Sequence, residues 1–169
     1  MLLGGVLKDE GSTAGVEVLN LKTMKQCSTS APLPESAFGA AFFILGGQVH
    51  LVGGYRSQID KRDLHLFDLK SRTWQTSDLF PTNLADAVVA QISHFWVLIT
   101  GGSDTPNTTI VHVNGSVLPG PPLPFQIMRH CALGVDEEHV FIAGGSRDGL
   151  GPTKEAFILN WADQTKTTS

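Results

Sequence analysis

Short apolar runs alternate with polar, glycine-containing segments along the chain, and four of the apolar runs end in a pair of glycines. The pairs recur every 43 to 49 residues, at Gly4-Gly5, Gly53-Gly54, Gly101-Gly102 and Gly144-Gly145. A fixed period of this length indicates a repeat architecture. A fifth pair, Gly46-Gly47, falls outside the period. It separates the runs FFIL and QVHLV and predicts the tight turn of a β-hairpin.

Alignment on the glycine pairs brings further β-like runs into register. Downstream of the pairs lie runs that predict strands, at residues 16–21, 64–69, 109–114 and 155–160. Upstream of three pairs lie runs of smaller residues, at 39–41, 87–89 and 130–132. Each repeat therefore predicts a small-residue inner strand, a strand ending in Gly-Gly, a third strand and a short fourth one. Four antiparallel strands per repeat are typical of a β-propeller blade.

Residue size along the repeats agrees with strands that surround a common axis. Strands near such an axis crowd together, so the innermost positions should hold the small residues Gly39, Ala40, Ala41, Ala87, Ala90, Ala132 and Gly134. We expect the glycine pairs to take positive φ or to approach neighbouring backbone, because glycine does either at low cost. Phe67 and Trp74 are bulky, and we expect them to fill the space between adjacent blades.

The second repeat carries a fuller motif than the others. Gly53-Gly54 is followed by Tyr55, then by the pair Phe67-Asp68, and Trp74 comes six residues after Asp68. This motif resembles the kelch-repeat family. The other repeats keep the glycine pair but lack most of the other motif residues. The resemblance therefore spans the chain through the glycine period, whereas the fuller motif depends on the second repeat.

The resemblance implies an all-β, kelch-type β-propeller of about four blades, each of four antiparallel strands, in one domain over residues 1–169. The blades are predicted at approximately 1–30, 36–78, 85–118 and 129–169, the first lacking its innermost strand. Proteins of this family usually close six or seven blades, so we predict an open arc of such a ring; a closed four-bladed ring is the alternative. An open arc would present two apolar blade faces, which predicts self-association.

Composition and charge narrow the class of partner. Hydrophobic residues make up 41% of the chain, 17% of residues are charged, and the net charge is −4 with scattered Lys and Arg. This charge disfavours nucleic acid as a partner. No apolar run approaches the length that crosses a bilayer, so membrane insertion is not expected. Asn107 and Asn114 each begin a glycosylation sequon. The sequons leave secretion open, although a cytoplasmic location is favoured.

The residue types that support catalysis or bind metals and cofactors occur in no pattern that predicts such a site. Cys27 and Cys131 lack metal-ligand spacing and lie in different predicted blades, so we expect two small buried residues without a disulfide. The six histidines form no i, i+2 or i, i+4 pair, which favours packing or solvated roles. Copper-radical oxidases that share the kelch fold use two tyrosines at the metal, and this chain has only Tyr55.

Loops then become the predicted functional surface. The polar segments after each glycine pair should emerge on one face, together with the connections between blades. Arg and Tyr are favoured at binding hot spots because they combine contact area with directed hydrogen bonds. The predicted partner-binding residues of this loop face are Tyr55, Arg56, Gln58, Asp60, Asp104, Asn107, Arg129, Arg147 and Asp148.

The sequence therefore predicts a non-enzymatic interaction module for a protein or peptide partner. The resemblance implies a role such as substrate recognition for a cullin-based ubiquitin ligase, or attachment to actin filaments. The positive charges of Arg56, Arg129 and Arg147 favour an acidic segment in the partner. One alternative is a secreted or cell-surface protein of recognition or adhesion. The other is a kelch-fold sugar-processing enzyme.

Overall fold

The computed structural model describes residues 2–8, 11–26, 31–56, 59–60, 64–77, 84–103 and 105–162. In these ranges the chain is all-β and its strands pair in antiparallel ladders. The described part contains no α-helix, and thus none long and apolar enough to span a membrane. The predicted all-β class is confirmed.

The first repeat is built from two-residue strands. They are β1 (Leu2–Leu3), β2 (Val6–Leu7), β3 (Gly11–Ser12), β4 (Val16–Glu17), β5 (Leu19–Asn20) and β6 (Lys25–Gln26). β1 pairs with β4, β2 with β3, and β5 with β6. The run predicted as one strand over 16–21 is therefore split in two at Val18.

The second repeat forms a four-stranded sheet, which we call sheet 2. The strands of this repeat are β7 (Ala41–Leu45), β8 (Gln48–Val52), β9 (Tyr55–Arg56), β10 (Ile59–Asp60), β11 (Leu64–Asp68) and β12 (Thr73–Ser77). Sheet 2 has the order β7-β8-β11-β12, and β9 pairs with β10 in a hairpin after Gly53-Gly54. Gly46-Gly47 forms the turn between β7 and β8, as predicted.

The third repeat forms a second four-stranded meander, sheet 3. Its strands are β13 (Val88–Gln91), β14 (Trp96–Thr100), β15 (Thr108–His112) and β16 (Val117–Pro119). They pair in chain order, so that each strand is antiparallel to the next. Sheets 2 and 3 therefore have the four strands per repeat that the sequence predicts.

The fourth repeat forms a three-stranded sheet, sheet 4, and a smaller one beside it. The strands are β17 (Ile127–Met128), β18 (Cys131–Gly134), β19 (His139–Ala143), β20 (Ser146–Arg147), β21 (Gly151–Pro152) and β22 (Ala156–Asn160). Sheet 4 has the order β18-β19-β22, and the smaller sheet has the order β17-β20-β21. The fourth strand predicted for this repeat would follow Asn160, and residues 163–169 lie outside the described ranges.

Consecutive repeats pack on one another in chain order. One apolar cluster joins the first repeat to sheet 2, a second joins sheet 2 to sheet 3, and a third joins sheet 3 to sheet 4. The alternation of side chains along a strand explains how one sheet serves two neighbours. In β14, Val97 and Ile99 pack toward sheet 2, whereas Leu98 packs toward sheet 4. The first strands of the three sheets lie side by side, since β13 contacts both β7 and β18.

The glycine pairs allow neighbouring repeats to approach each other closely. Gly4, Gly53 and Gly101 have φ of 60°, 64° and 60°. A Cβ at Gly53 would lie 2.5 Å from the carbonyl oxygen of Leu84, in the segment leading to sheet 3. Gly4 and Gly101 meet the carbonyl oxygens of Ala37 and Ile127 in the same way. Both predicted reasons for glycine, positive φ and a close backbone, are therefore confirmed.

Two predicted packing positions have different outcomes. Trp74 packs on the cluster shared with the first repeat, and its indole N–H donates to the carbonyl oxygen of Ala31 at 3.1 Å. The burial predicted for Cys131 is wrong, because this cysteine is exposed on β18. Its side chain lies on the face of sheet 4 that no other described sheet covers. Cys27 lies outside the described residues.

Candidate functional site

The strand register places the loops of each sheet at one end. In sheet 2, the last residue of β8, Val52, pairs with Ala41 and Leu64, which are the first residues of β7 and β11. The loop after the glycine pair and the connection into the sheet therefore meet at this end. Sheets 3 and 4 show the same arrangement, with Thr100 and Ala143 in the place of Val52. We call this end of the sheets the loop face.

Backbone hydrogen bonds link the three sheets on the loop face. Gly39, Asp86 and Arg129 each lie two residues before the first strand of their sheet, and their φ angles are 63°, 56° and 54°. The N–H of Asp86 donates to the carbonyl oxygen of Gly39 at 2.8 Å, and the N–H of Arg129 donates to that of Asp86 at 3.0 Å. These hydrogen bonds fix the three neighbouring loops relative to one another.

The Asp86 carboxylate binds two of the neighbouring side chains. Its Oδ2 accepts a hydrogen bond from the Tyr55 hydroxyl at 3.3 Å and an ion pair from Nη2 of Arg129 at 2.8 Å. Tyr55 stacks on Phe38 with ring centroids 5.1 Å apart. A Cβ at Gly39 would lie 2.7 Å from Asp86 Oδ1, so glycine makes room for this arrangement. We call Phe38, Tyr55, Asp86 and Arg129 the Asp86 cluster.

The Asp86 cluster exposes a guanidinium on a fixed support. Asp86 is buried, whereas 66% of the Arg129 side chain is exposed. The ion pair with Asp86 raises the pKa of Arg129 above its ordinary value, so the guanidinium stays charged. A guanidinium has five N–H donors in a planar fork and can contact a second acceptor while it holds Asp86.

Arg147 is a second ordered cation of the fourth repeat. It lies in β20 and pairs with Ile127 of β17, two residues before Arg129. Its Nη1 is 3.1 Å from Glu155 Oε1, and its guanidinium carbon lies 4.1 Å from the centroid of the Phe125 ring. The carboxylate and the ring restrict the orientation of this side chain.

The structure joins some of the predicted loop residues and leaves others apart. Tyr55 and Arg129 meet through Asp86, which the sequence prediction omits. Arg56 and Asp60 lie in the hairpin of β9 and β10, and their side chains are outside the described part. Gln58 and Asp104 also fall outside it. Asn107 before β15 and Asp148 after β20 are exposed in other loops of the loop face, outside the Asp86 cluster.

A repeat signal could have identified Asp86 in advance. It occupies the same place before its inner strand as Gly39 and Arg129, and all three have positive φ. Aspartate tolerates this conformation better than most residues because its short side chain can bond locally. The residue at this position thus changes from Gly39 to Asp86 to Arg129 in successive repeats, while the positive φ is kept.

A buried histidine lies next to the Asp86 cluster. His130 follows Arg129, and its Nε2 is 2.7 Å from the hydroxyl oxygen of Thr100 in sheet 3. Burial lowers the pKa of His130 to about 4. Within the described residues, no group of three His, Cys, Asp or Glu side chains could hold a metal ion. The described residues of the loop face offer hydrogen-bonding groups, charged groups and aromatic rings.

No protein-family model matches this chain, and a search of curated proteins finds no match. The kelch resemblance thus depends on the glycine period and the motif of the second repeat.

Proposed function

We propose that the chain is a kelch-type β-propeller segment whose loop face binds a protein or peptide without catalysing a reaction. The meander order of sheets 2 and 3 supports the propeller, as do the contacts among β7, β13 and β18. Face-to-face packing in chain order is also what successive blades require. In this proposal the four repeats form an arc of a six- or seven-bladed ring.

The Asp86 cluster is the observation that carries the binding proposal. A buried carboxylate holds an arginine that is two-thirds exposed, and Tyr55 lies on the same carboxylate. The entropy cost of ordering Arg129 is therefore met in the free protein, which favours binding. Arginine and tyrosine are also the residue types that dominate binding energy at interfaces. The exposed guanidinium selects a carboxylate, so the proposed partner segment is acidic.

Peptide selection on the immobilised chain tests this proposal. A random peptide library should yield sequences enriched in Asp and Glu, and Arg129→Ala should weaken their binding roughly tenfold. Lys70→Ala removes a positive charge from the turn between β11 and β12, at the opposite end of sheet 2, and serves as the matched control. Selected peptides without acidic enrichment, or equal losses in both variants, would remove the loop face as the binding surface.

For an intracellular protein, the proposed role is that of a ubiquitin-ligase adaptor or an actin-binding protein. A second candidate, a secreted or cell-surface recognition protein, is favoured by the exposure of both sequon asparagines, Asn107 and Asn114. Asn114 lies in the turn between β15 and β16. Expression in a secretory host followed by glycan removal separates the two: a mobility shift that Asn114→Gln reduces supports the second candidate, and an unchanged band opposes it.

A further inference from the structure

A cavity of about 350 Å³ lies between sheets 2 and 3. Leu66 lines it from sheet 2, and Val111 and Val117 line it from sheet 3. At the end opposite the loop face, a Cβ at Gly46 would lie 3.0 Å from a methyl carbon of Val113, so the turns of the two sheets meet there. Packed protein interiors leave few voids larger than a water molecule. The described side chains thus fill the space between these two sheets incompletely.

The strand register identifies Val117 as the counterpart of Trp74. Phe67 is the fourth residue of β11 and pairs with Trp74. Val111 is the fourth residue of β15 and pairs with Val117. Both strands begin opposite the last residue before a glycine pair. The two pairs therefore occupy the same place in successive repeats, and each faces the preceding repeat.

Aromatic side chains pack in the gaps on either side of this one. The Trp74 ring lies beside the Phe67 ring, with centroids 4.9 Å apart, and packs on the cluster shared with the first repeat. Between sheets 3 and 4, Trp96 and Trp161 pack in the shared cluster with centroids 6.0 Å apart. Beside the cavity, two valines take the places of the phenylalanine and the tryptophan. The cavity therefore lies where the preceding gap contains an indole ring.

The lining of the cavity is uncharged. It contains no Asp, Glu, Lys or Arg among the described residues, and its two histidines are His50 and His112. Burial lowers the pKa of His50 and outweighs the opposite effect of its hydrogen bond to the Leu45 carbonyl oxygen, so the imidazole is neutral at pH 7. Nδ1 of His112 accepts from the N–H of Asn114 at 3.3 Å, which requires the neutral imidazole. A charged ligand would lose its hydration here without an ion-pair partner.

We propose that this cavity binds a neutral aromatic ring of about the size of indole, in the place that the Trp74 ring takes in the preceding gap. The volume lies within the ~300–1,000 Å³ of small-molecule pockets. An apolar protein cavity of about 150 Å³ is large enough to bind benzene. The turn residues Gly46 and Asn114 line the cavity, at the end of the sheets opposite the loop face. The site is therefore separate from the proposed peptide-binding surface and does not depend on it.

Titration of the full chain with indole at neutral pH, followed by methyl NMR spectra, tests the proposal. The methyl resonances of Val111 and Val117 should shift and saturate with a dissociation constant on the order of 100 μM. Those of Val140, which is buried between sheets 3 and 4, should not move. Indole-3-carboxylate adds a negative charge to the same ring and should bind at least roughly tenfold more weakly. Absence of saturable shifts at the two cavity valines, or equal affinity for the carboxylate, would overturn the proposal.

Val117→Trp tests the comparison between repeats. It places an indole at the position equivalent to Trp74, so added indole should bind at least roughly tenfold more weakly. Leu118→Trp is the matched control, because Leu118 is the next residue of β16, is 44% exposed and lies on the opposite face of the strand. It should leave the affinity unchanged. Urea unfolding checks that both variants are folded, and the wild-type titration depends on neither of them. Unchanged affinity in folded Val117→Trp, or equal losses in both variants, would contradict the proposed site.

Two probes distinguish the source of the ring. Indole represents a free small molecule, and N-acetyltryptophanamide represents the tryptophan side chain of a partner protein. Similar affinity for both probes would assign the ring to a partner side chain, whereas binding of indole alone would assign it to a small molecule. Binding of neither probe would refute the site itself.

Discussion

The imidazole Nε2 of His130 lies 2.7 Å from the hydroxyl oxygen of Thr100, across the interface between sheets 3 and 4. The Thr100 hydroxyl donates its proton to the carbonyl oxygen of Val88 at 3.2 Å, so it accepts from the Nε2–H of His130. His130 Nδ1 is then the unprotonated nitrogen. It is buried and has no hydrogen-bond partner among the described residues. This buried environment therefore favours the neutral imidazole over the imidazolium ion.

Stability should therefore fall on acidification because of His130. Its pKa is about 4 in the folded protein, against 6.5 for an unperturbed histidine. Between these values the unfolded chain binds more protons, so the free energy of unfolding decreases as pH falls from about 6.5 to about 4. The full loss is about 3 kcal/mol. Above pH 6.5 this group contributes no pH dependence.

Urea unfolding of wild type and His130→Gln at several pH values between about 4 and 7.5 measures this effect. Glutamine is uncharged at all of them, so the variant should lose most of the pH dependence in this window. Burial also lowers the pKa of His50, which leaves a residual slope of the same sign. Parallel curves for the two proteins would contradict the assignment to His130.

Gly53→Ala should be much more destabilising than Gly47→Ala. Both glycines have positive φ, 64° and 77°, so both variants incur a strain of about 1–2 kcal/mol. An added Cβ at Gly53 would lie 2.5 Å from the Leu84 carbonyl oxygen, whereas none lies within 4 Å at Gly47. Overpacking of this kind costs about 1–3 kcal/mol more. Equal unfolding midpoints would show that the close approach to Leu84 is unimportant.

Asp86→Asn should weaken the binding of acidic peptides even though it makes the chain more positive. Asparagine tolerates the φ of 56° and keeps an acceptor oxygen for the Tyr55 hydroxyl. Arg129 loses its ion pair and its fixed orientation. Fluorescence polarisation with a selected acidic peptide measures the affinity. Stronger binding by the variant would mean that net charge, rather than positioning of Arg129, controls recognition.

Leu98→Ala and Leu133→Ala compare the covered and uncovered faces of consecutive sheets. Leu98 is fully buried in the cluster between sheets 3 and 4, so its truncation should cost about 2–5 kcal/mol. Leu133 lies on the uncovered face of sheet 4, and its truncation should cost less than about 1 kcal/mol in dilute solution. Thermal or urea unfolding at low protein concentration measures both. A large loss in Leu133→Ala would show that this face of sheet 4 is packed.

Local sequence was sufficient for most of the secondary structure. The glycine period predicted four repeats, and the runs around Phe67 and Ile110 became the strands β11 and β15 close to their expected bounds. These features depend on residues near in sequence, because period-2 alternation and tight turns are local properties. The first repeat was harder, since the run at 16–21 is interrupted at Val18 and its strands pair over only two residues each.

Contacts between repeats depended on the folded chain. Asp86 and Arg129 are 43 residues apart in sequence, and only the packing of sheets 2, 3 and 4 brings them to one loop face. The same packing buries Leu98 and exposes Cys131, although the sequence predicts a strand at both positions. Periodicity in a chain reports which side chains share a face of a strand. Whether that face meets another sheet or water depends on the neighbour present, which no local pattern encodes.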